Sequence, residues 1–184
     1  MDFKELLKKR KTTFEFSKKK VNDLKIVKII DAGRLAPSSL NSQPWKFILI
    51  KNSEKIKSIM RTCSYGFFHS YPPVLIVLVW DPELTSKKNL LGVKLNDFIR
   101  SHKDLNIGAA MMSMIFAATN LKVDSAILSP KVAEVNKILR VKKPAEVSIV
   151  IGLGYEDKDA FRPKKERKKI NDVLGCEEYF KRCE

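Results

Sequence analysis

Residues 36–50 read APSSLNSQPWKFILI, so Pro37, Ser38, Ser39, Asn41, Ser42 and Gln43 fall within seven positions. Pro44-Trp45 then opens the apolar run Phe47-Ile48-Leu49-Ile50. A connection from helix to strand needs one or two turn formers, and six polar or kinked residues exceed that need. The surplus of hydroxyl and amide groups suits a ligand that carries many donors and acceptors. Two cationic segments suit the same kind of ligand. In "RKTT" the side chains of Arg10, Lys11 and Thr12 close the first expected helix and can clamp a phosphate. In "KERK" Lys165 and Arg167 occupy alternate positions of an extended stretch and supply a second cationic fork. Either cluster alone is also what a solvated charged face looks like. Together with the 36–45 loop they suit one planar, polyanionic ligand.

Other candidate chemistry is weaker. His69 and His102 are far apart and lack metal-ligand spacing, so no metal is expected. Cys63 in "RTCSYGF" has no identifiable base beside it and reads as an inert thiol. "IGLGY", residues 151–155, has no third glycine and opens no helix, which argues against a Rossmann dinucleotide site. Nothing resembles a nucleophile elbow.

The elements that must position these residues are readable from period and punctuation. A first helix runs from Asp2, with Glu5 at capping-box spacing, to about Arg10. A second starts near Asn22-Asp23, places Leu24, Val27 and Ile30 on one face and ends near Leu35. Strand Lys46 to Ile50 follows the loop, then a short helix capped by Asn52 or Ser53 with Ile56, Ile59 and Met60 inside. "PPVLIVLVW", residues 72–80, is a central strand covered on both faces. The lysine-rich stretch 81–103 reads as a helix or cover. Asp104 to Leu121 is a helix apolar nearly all round, which must be buried within the fold or at a subunit interface. A strand at Val123 to Leu128 precedes Ser129-Pro130, read as an N-cap and first-turn proline for a helix with Val132, Val135, Ile138 and Leu139 inward. Glu146 to Ile151 is the last core strand. Without repeats or linkers, residues 1–184 read as one three-layer domain, α+β or α/β.

The 184 residues, 44% of them hydrophobic, suffice for a sizeable core. The N-terminus has no signal-peptide apolar segment and no run reaches membrane-span length, so a soluble, cytoplasmic protein without membrane contact is expected. Three cysteines without CxxC spacing suggest free thiols in a reducing compartment. The net charge of +15 raises nucleic-acid binding, but only eight of 36 cations are arginine and "KKRK" and "KKERKK" contain no aromatic residue. Base-edge readers favour arginine, and single-strand binders interleave aromatics with cations. No nucleic-acid partner is expected.

At these residues the chain resembles the FMN-dependent nitroreductase family, over nearly its whole length. "RKTTFEF", residues 10–16, is similar to that family's R-R-S-x-R-x-F. Ala36, Pro37, Ser38, Asn41, Gln43, Pro44, Trp45 and Phe47 match A-P-S-x-x-N-x-Q-P-W-x-F. "DLNIGAAMMSMIFAA" resembles D-x-G-A-A-x-x-N-M-x-L-A-A with Ser113 for asparagine, and "LGYEDKD…RKKINDV" resembles the family's ending. The resemblance implies an α+β, three-layer fold with a mostly antiparallel central sheet flanked by helices, in an intertwined homodimer. It implies FMN held at its phosphate and ribityl chain by Arg10, Lys11, Thr12, Lys165 and Arg167. Pro37, Ser38, Ser39, Asn41 and Gln43 would meet the ring from the partner subunit, with the Leu128 and Ser129 backbone on the other side.

The implied activity is ping-pong hydride transfer from NADH or NADPH through the flavin to a small-molecule acceptor such as a nitroaromatic or quinone. The flavin carries the chemistry, so no catalytic acid or base is expected. Phe14 stands where members often carry a second cation, which keeps open the alternative of a flavin or nucleotide sensor or store without turnover.

Overall fold

The computed structural model describes residues 1–63, 70–85, 98, 100–160 and 166–179. At its centre is β2, Val74–Trp80, with every residue buried. Seven apolar side chains in succession must be covered from both sides. Alternation sends Val74, Ile76, Leu78 and Trp80 to one face and Leu75, Val77 and Val79 to the other. Strands β1 (Trp45–Ile50) and β4 (Glu146–Gly154) flank β2, and β3 (Asp124–Leu128) pairs with β4, giving the order β1-β2-β4-β3. Every pairing between these four strands is antiparallel, so the fold is α+β and the α/β alternative falls.

Five described helices form the outer layers: α1 (Phe3–Lys9), α2 (Asp23–Arg34), α3 (Ser53–Met60), α4 (Lys103–Asn120) and α5 (Val132–Leu139). Ile26 and Ile29 of α2 pack with Ile107, Ala110 and Met114 of α4 over the Ile76 face. Ile56, Ile59 and Met60 of α3 pack with Val135 of α5 over the Val77 face. The caps expected for α1, α2 and α3 are made: Asp2, Asn22 and Asn52 accept from Glu5, Leu24 and Lys55 amides at 2.8, 2.9 and 2.9 Å.

Several expectations need correcting. In α2 the buried face is Ile26, Ile29 and Gly33, while Leu24 is 72% and Val27 61% exposed. Apolar residues at 24, 26, 27, 29 and 30 make two overlapping stripes, and contact with α4 chooses between them. A Cβ on Gly33 would lie 2.4 Å from Met114 Cε, so this glycine sets the closest approach of the two helices. Within one chain α4 is not buried on every side: Leu105 is 67% exposed, and a Cβ on Gly108 would meet open space. Strand β4 continues to Gly154, where a Cβ would lie 2.5 Å from the Phe16 ring and 2.8 Å from Pro73. The glycines of "IGLGY" therefore serve close packing in a strand.

Of the cysteines, Cys63 is free, whereas Cys176 is disulfide-bonded, which removes the free-thiol argument for a reducing compartment. Most of the 81–103 cover, and His69, Lys165 and Cys183, lie outside the described residues. Among those described, no helix is long and apolar enough to cross a membrane.

Candidate functional site

The loop before β1 is bent by its own polar groups. The Ser38 carbonyl accepts from the Asn41 amide at 2.9 Å, and Ser38 Oγ accepts from the Gln43 amide at 2.9 Å. Leu40, Asn41 and Gln43 adopt positive φ of 54°, 52° and 48°. Three non-glycine residues in the left-handed region within four positions are costly, and such strain gathers at binding sites. The Gln43 side chain donates to Asn41 Oδ1 at 3.1 Å. Much of the polarity that looked reserved for a ligand is thus used within the loop. What is left is specific: among the described residues, neither Asn41 Nδ2 nor Gln43 Oε1 has a partner. Pro37 is exposed, Ser38 and Ser39 are half-buried, and Asn41 is exposed.

Sequence reasoning missed Asn106 as part of this arrangement. It lies on α4, 1% exposed, and its Oδ1 accepts from Ser39 N at 2.8 Å and Ser39 Oγ at 3.1 Å. A lone asparagine among the buried apolar residues of α4 was the available signal.

The cationic motif sits elsewhere. Arg10 caps the end of α1, and the chain then runs parallel to β3: Thr12 bridges Ser125, and Thr13 N donates to Ser125 O at 3.0 Å. Leu128 ends the same strand, buried, with Ser129 exposed beyond it. β3 therefore gathers Arg10, Lys11, Thr12, Leu128 and Ser129 at one sheet edge, while the Pro37–Gln43 loop enters β1 at the opposite edge. No hydrogen bond or ion pair among the described residues joins the two groups within one chain. Arg167 lies exposed in the irregular 166–169 segment.

Two local details change the roles expected. Lys11 is held by Glu156, whose side chain is 7% exposed, and lies 3.6 Å from Asp124 Oδ1. Arg10 has no carboxylate partner among the described residues and is the open cation of the pair. Ser129 is not an N-cap: α5 begins at Val132 with Lys131 as its cap. The Lys131 amide is diverted to Thr62 O at 3.0 Å, because 130 and 63 pair as a short bridge that postpones the helix. Ser129 thus offers its backbone but no helix N-terminus. Beside that bridge, burial pushes the Cys63 thiol above its ordinary value, opposed by a hydrogen bond with Thr62. It stays protonated at neutral pH and is a poor nucleophile. Among the described residues no group of three or more His, Cys, Asp or Glu could hold a metal.

The Lys11 geometry yields a direct expectation. Lys11→Ala should lower stability by about 0.5–1.5 kcal/mol, because the charge-assisted bond to Glu156, made at a part-buried position, is lost. Urea denaturation checks it, and wild-type stability in the variant would show that the ion pair contributes nothing.

A four-stranded antiparallel sheet between helical layers, with an amide-rich loop at one edge and a cationic motif at the other, defines an α+β protein with its candidate binding groups at the sheet edges. The chain belongs to the Nitroreductase family, whose sequence profile matches residues 7–155. A protein of Archaeoglobus fulgidus provisionally named NADH dehydrogenase/NAD(P)H nitroreductase is 26% identical over 159 residues, covering 83% of this chain and 85% of its own. The crystal structure of a nitroreductase family protein from Streptococcus pneumoniae superposes with a TM-score of 0.80 at 25% identity, over 95% of this chain and all of its own. A provisionally named nitroreductase of Desulfovibrio desulfuricans, solved in complex with FMN, has the same fold, with a TM-score of 0.74 at 20% identity over 95% of this chain and 96% of its own.

Proposed function

We propose that the chain is an FMN-dependent oxidoreductase that takes hydride from NADH or NADPH and passes it to nitroaromatic, quinone or similar acceptors, working as a homodimer. The observation that carries this reading is the strained Ser38–Gln43 loop, whose Asn41 amide nitrogen and Gln43 side-chain oxygen, without partners among the described residues, form one donor and one acceptor. That pair fits the edge of a heterocycle with alternating carbonyl and N–H groups, and the open guanidinium of Arg10 fits a phosphate. The donor set present therefore suits FMN.

Bound FMN would supply hydride transfer at its N5, accepting from nicotinamide and giving to the second substrate. Arg10 would bind the phosphate, with Thr12 beside it and Lys165 and Arg167 closing from the C-terminal segment. Lys11, already paired, would act by anchoring the motif to Glu156 and Asp124. Pro37, Ser38 and Ser39 would cover the ring, Asn41 and Gln43 would hydrogen-bond its edge, and the Leu128 and Ser129 backbone would line the opposite side. No side chain is assigned as acid or base. Ping-pong order follows because donor and acceptor would use one face in turn.

The homodimer is part of the proposal because the two groups of binding residues lie at opposite sheet edges. Three strand spacings separate those edges, roughly 14 Å. A second copy would bring its loop to the first copy's cationic motif. The exposed Leu24, Val27, Leu35 and Leu105, together with the open side of α4 at Gly108, offer apolar surface for the contact. We place the protein in the cytoplasm, where reduced nicotinamide is supplied.

A visible spectrum of the purified protein tests the reading. Bands near ~370 and ~450 nm that bleach on adding NADH or NADPH are expected of a working flavoprotein. Flavin bands that neither cofactor bleaches would favour a flavin store, in keeping with Phe14 at a position where the resembled motif often carries a cation. Absence of flavin, with no uptake from added FMN, would end the proposal.

A further inference from the structure

We propose that Asn106 is the positioning residue that fixes the Ser38–Gln43 loop in its ligand-ready shape, a proposal that rests on the flavin reading above. The loop's internal bonds, centred on Ser38, hold it to itself. Its side-chain tie to the helical layer is Asn106, which receives both the backbone N–H and the hydroxyl of Ser39, 67 residues away. Left-handed Leu40, Asn41 and Gln43 follow immediately, and strained backbone persists only where surrounding contacts over-determine it.

The amide's orientation is settled by chemistry. A backbone N–H can only donate, so the atom 2.8 Å from Ser39 N must be the oxygen. That leaves Nδ2 pointing away from Ser39, buried and without a partner among the described residues. A buried unpaired donor costs stability, and the two bonds that Oδ1 accepts from Ser39 offset that cost. What separates this asparagine from an apolar residue is its hold on Ser39. Asn106 acts through Ser39 without reaching a ligand itself, because its amide is closed off from solvent. It also ties the loop to α4, so a shift of that helix would carry the loop with it.

Three variants test this: Asn106→Leu, Asn106→Asp and Ser39→Ala. The readouts are the thermal midpoint without FMN, amide hydrogen exchange over 39–43, and FMN affinity by fluorescence titration. Asn106→Leu should change the midpoint little, because the lost Ser39 bonds and the removed unpaired donor oppose each other. It should speed exchange in the loop about tenfold and weaken FMN binding about tenfold, as expected for a lost hydrogen-bonded anchor. Asn106→Asp keeps the acceptor and removes the orphaned donor, so exchange and affinity should stay near wild type. Ser39→Ala keeps the backbone bond and loses the 3.1 Å one, so its loop exchange should fall between the other two.

Unchanged loop exchange in Asn106→Leu, or faster exchange with unchanged FMN affinity, overturns the proposal. If Asn106→Leu fails to fold, Asn106→Asp decides: retained protection and affinity support the anchor, and their loss overturns it. A wild-type protein that takes up no FMN defeats the flavin reading alone, and the exchange data then decide the anchor by themselves.

Discussion

Arg10→Ala is expected to weaken FMN binding about tenfold to a hundredfold, since a charge-assisted hydrogen bond to phosphate contributes roughly 1.5–3 kcal/mol. The choice of Arg10 over its neighbour follows from the ion pairs. Lys11 is committed to Glu156 and Asp124, whereas the Arg10 guanidinium has no carboxylate competing for it among the described residues. Its planar fork can also meet two phosphate oxygens at once, which an ammonium cannot do as well. Arg167→Ala should act in the same direction. Lys55→Ala, on the exposed side of α3, serves as the charge-matched control and should leave affinity unchanged. Fluorescence titration at fixed ionic strength makes the comparison, because general attraction to a chain of net charge +15 would affect all three alike. Equal affinities in the three variants would remove the phosphate assignment. A loss at Arg10 alone would take the C-terminal fork out of the site, a segment beyond the 7–155 profile match.

Gly108→Leu should dissociate the proposed dimer and release the flavin together, while the chain itself stays folded. Among the described residues a Cβ at Gly108 meets nothing within 4 Å, so a side chain can leave the helix there without a clash inside one chain. Replacing a helical glycine by leucine also favours the helix by nearly 1 kcal/mol. Between two chains the same side chain would overpack the contact at about 1–3 kcal/mol, or roughly 5- to 150-fold in the dimer constant. FMN that binds only the dimer must strengthen association by mass action, about 2.7 kcal/mol per site at a hundredfold excess over its Kd. Sedimentation velocity read at both the protein and flavin bands follows the two events together. A wild-type monomer carrying one FMN per chain would end the two-chain site, and an unaltered dimer of Gly108→Leu would move the contact off this face of α4.

The parts of this protein that were legible in its sequence are those governed by neighbours in the chain. The unbroken apolar run at 74–80 could only be an interior strand, and it is. Asp2, Asn22 and Asn52 announced three helix starts because a cap acts on an amide two or three residues away. The crowded residues at 37–43 signalled an unusual backbone for the same reason, since the Ser38 bonds that shape it span only three to five residues.

Other features were decided by the tertiary structure. Two helical stripes of α2 have nearly equal apolar character, and packing through Gly33 onto Met114 selects the one that is buried. Lys11 meets Glu156 across 145 residues, and Ser39 meets Asn106 across 67. Ser129-Pro130 has the local chemistry of a helix start, yet Thr62 takes the amide of Lys131 and the helix begins later. A single sequence encodes each residue's capacity to bond and the period of its segment. Which distant group satisfies that capacity depends on how the sheet edges and helical layers bring separate segments together, and here that topology assigns the cations, the buried amide and the two edges of the proposed site.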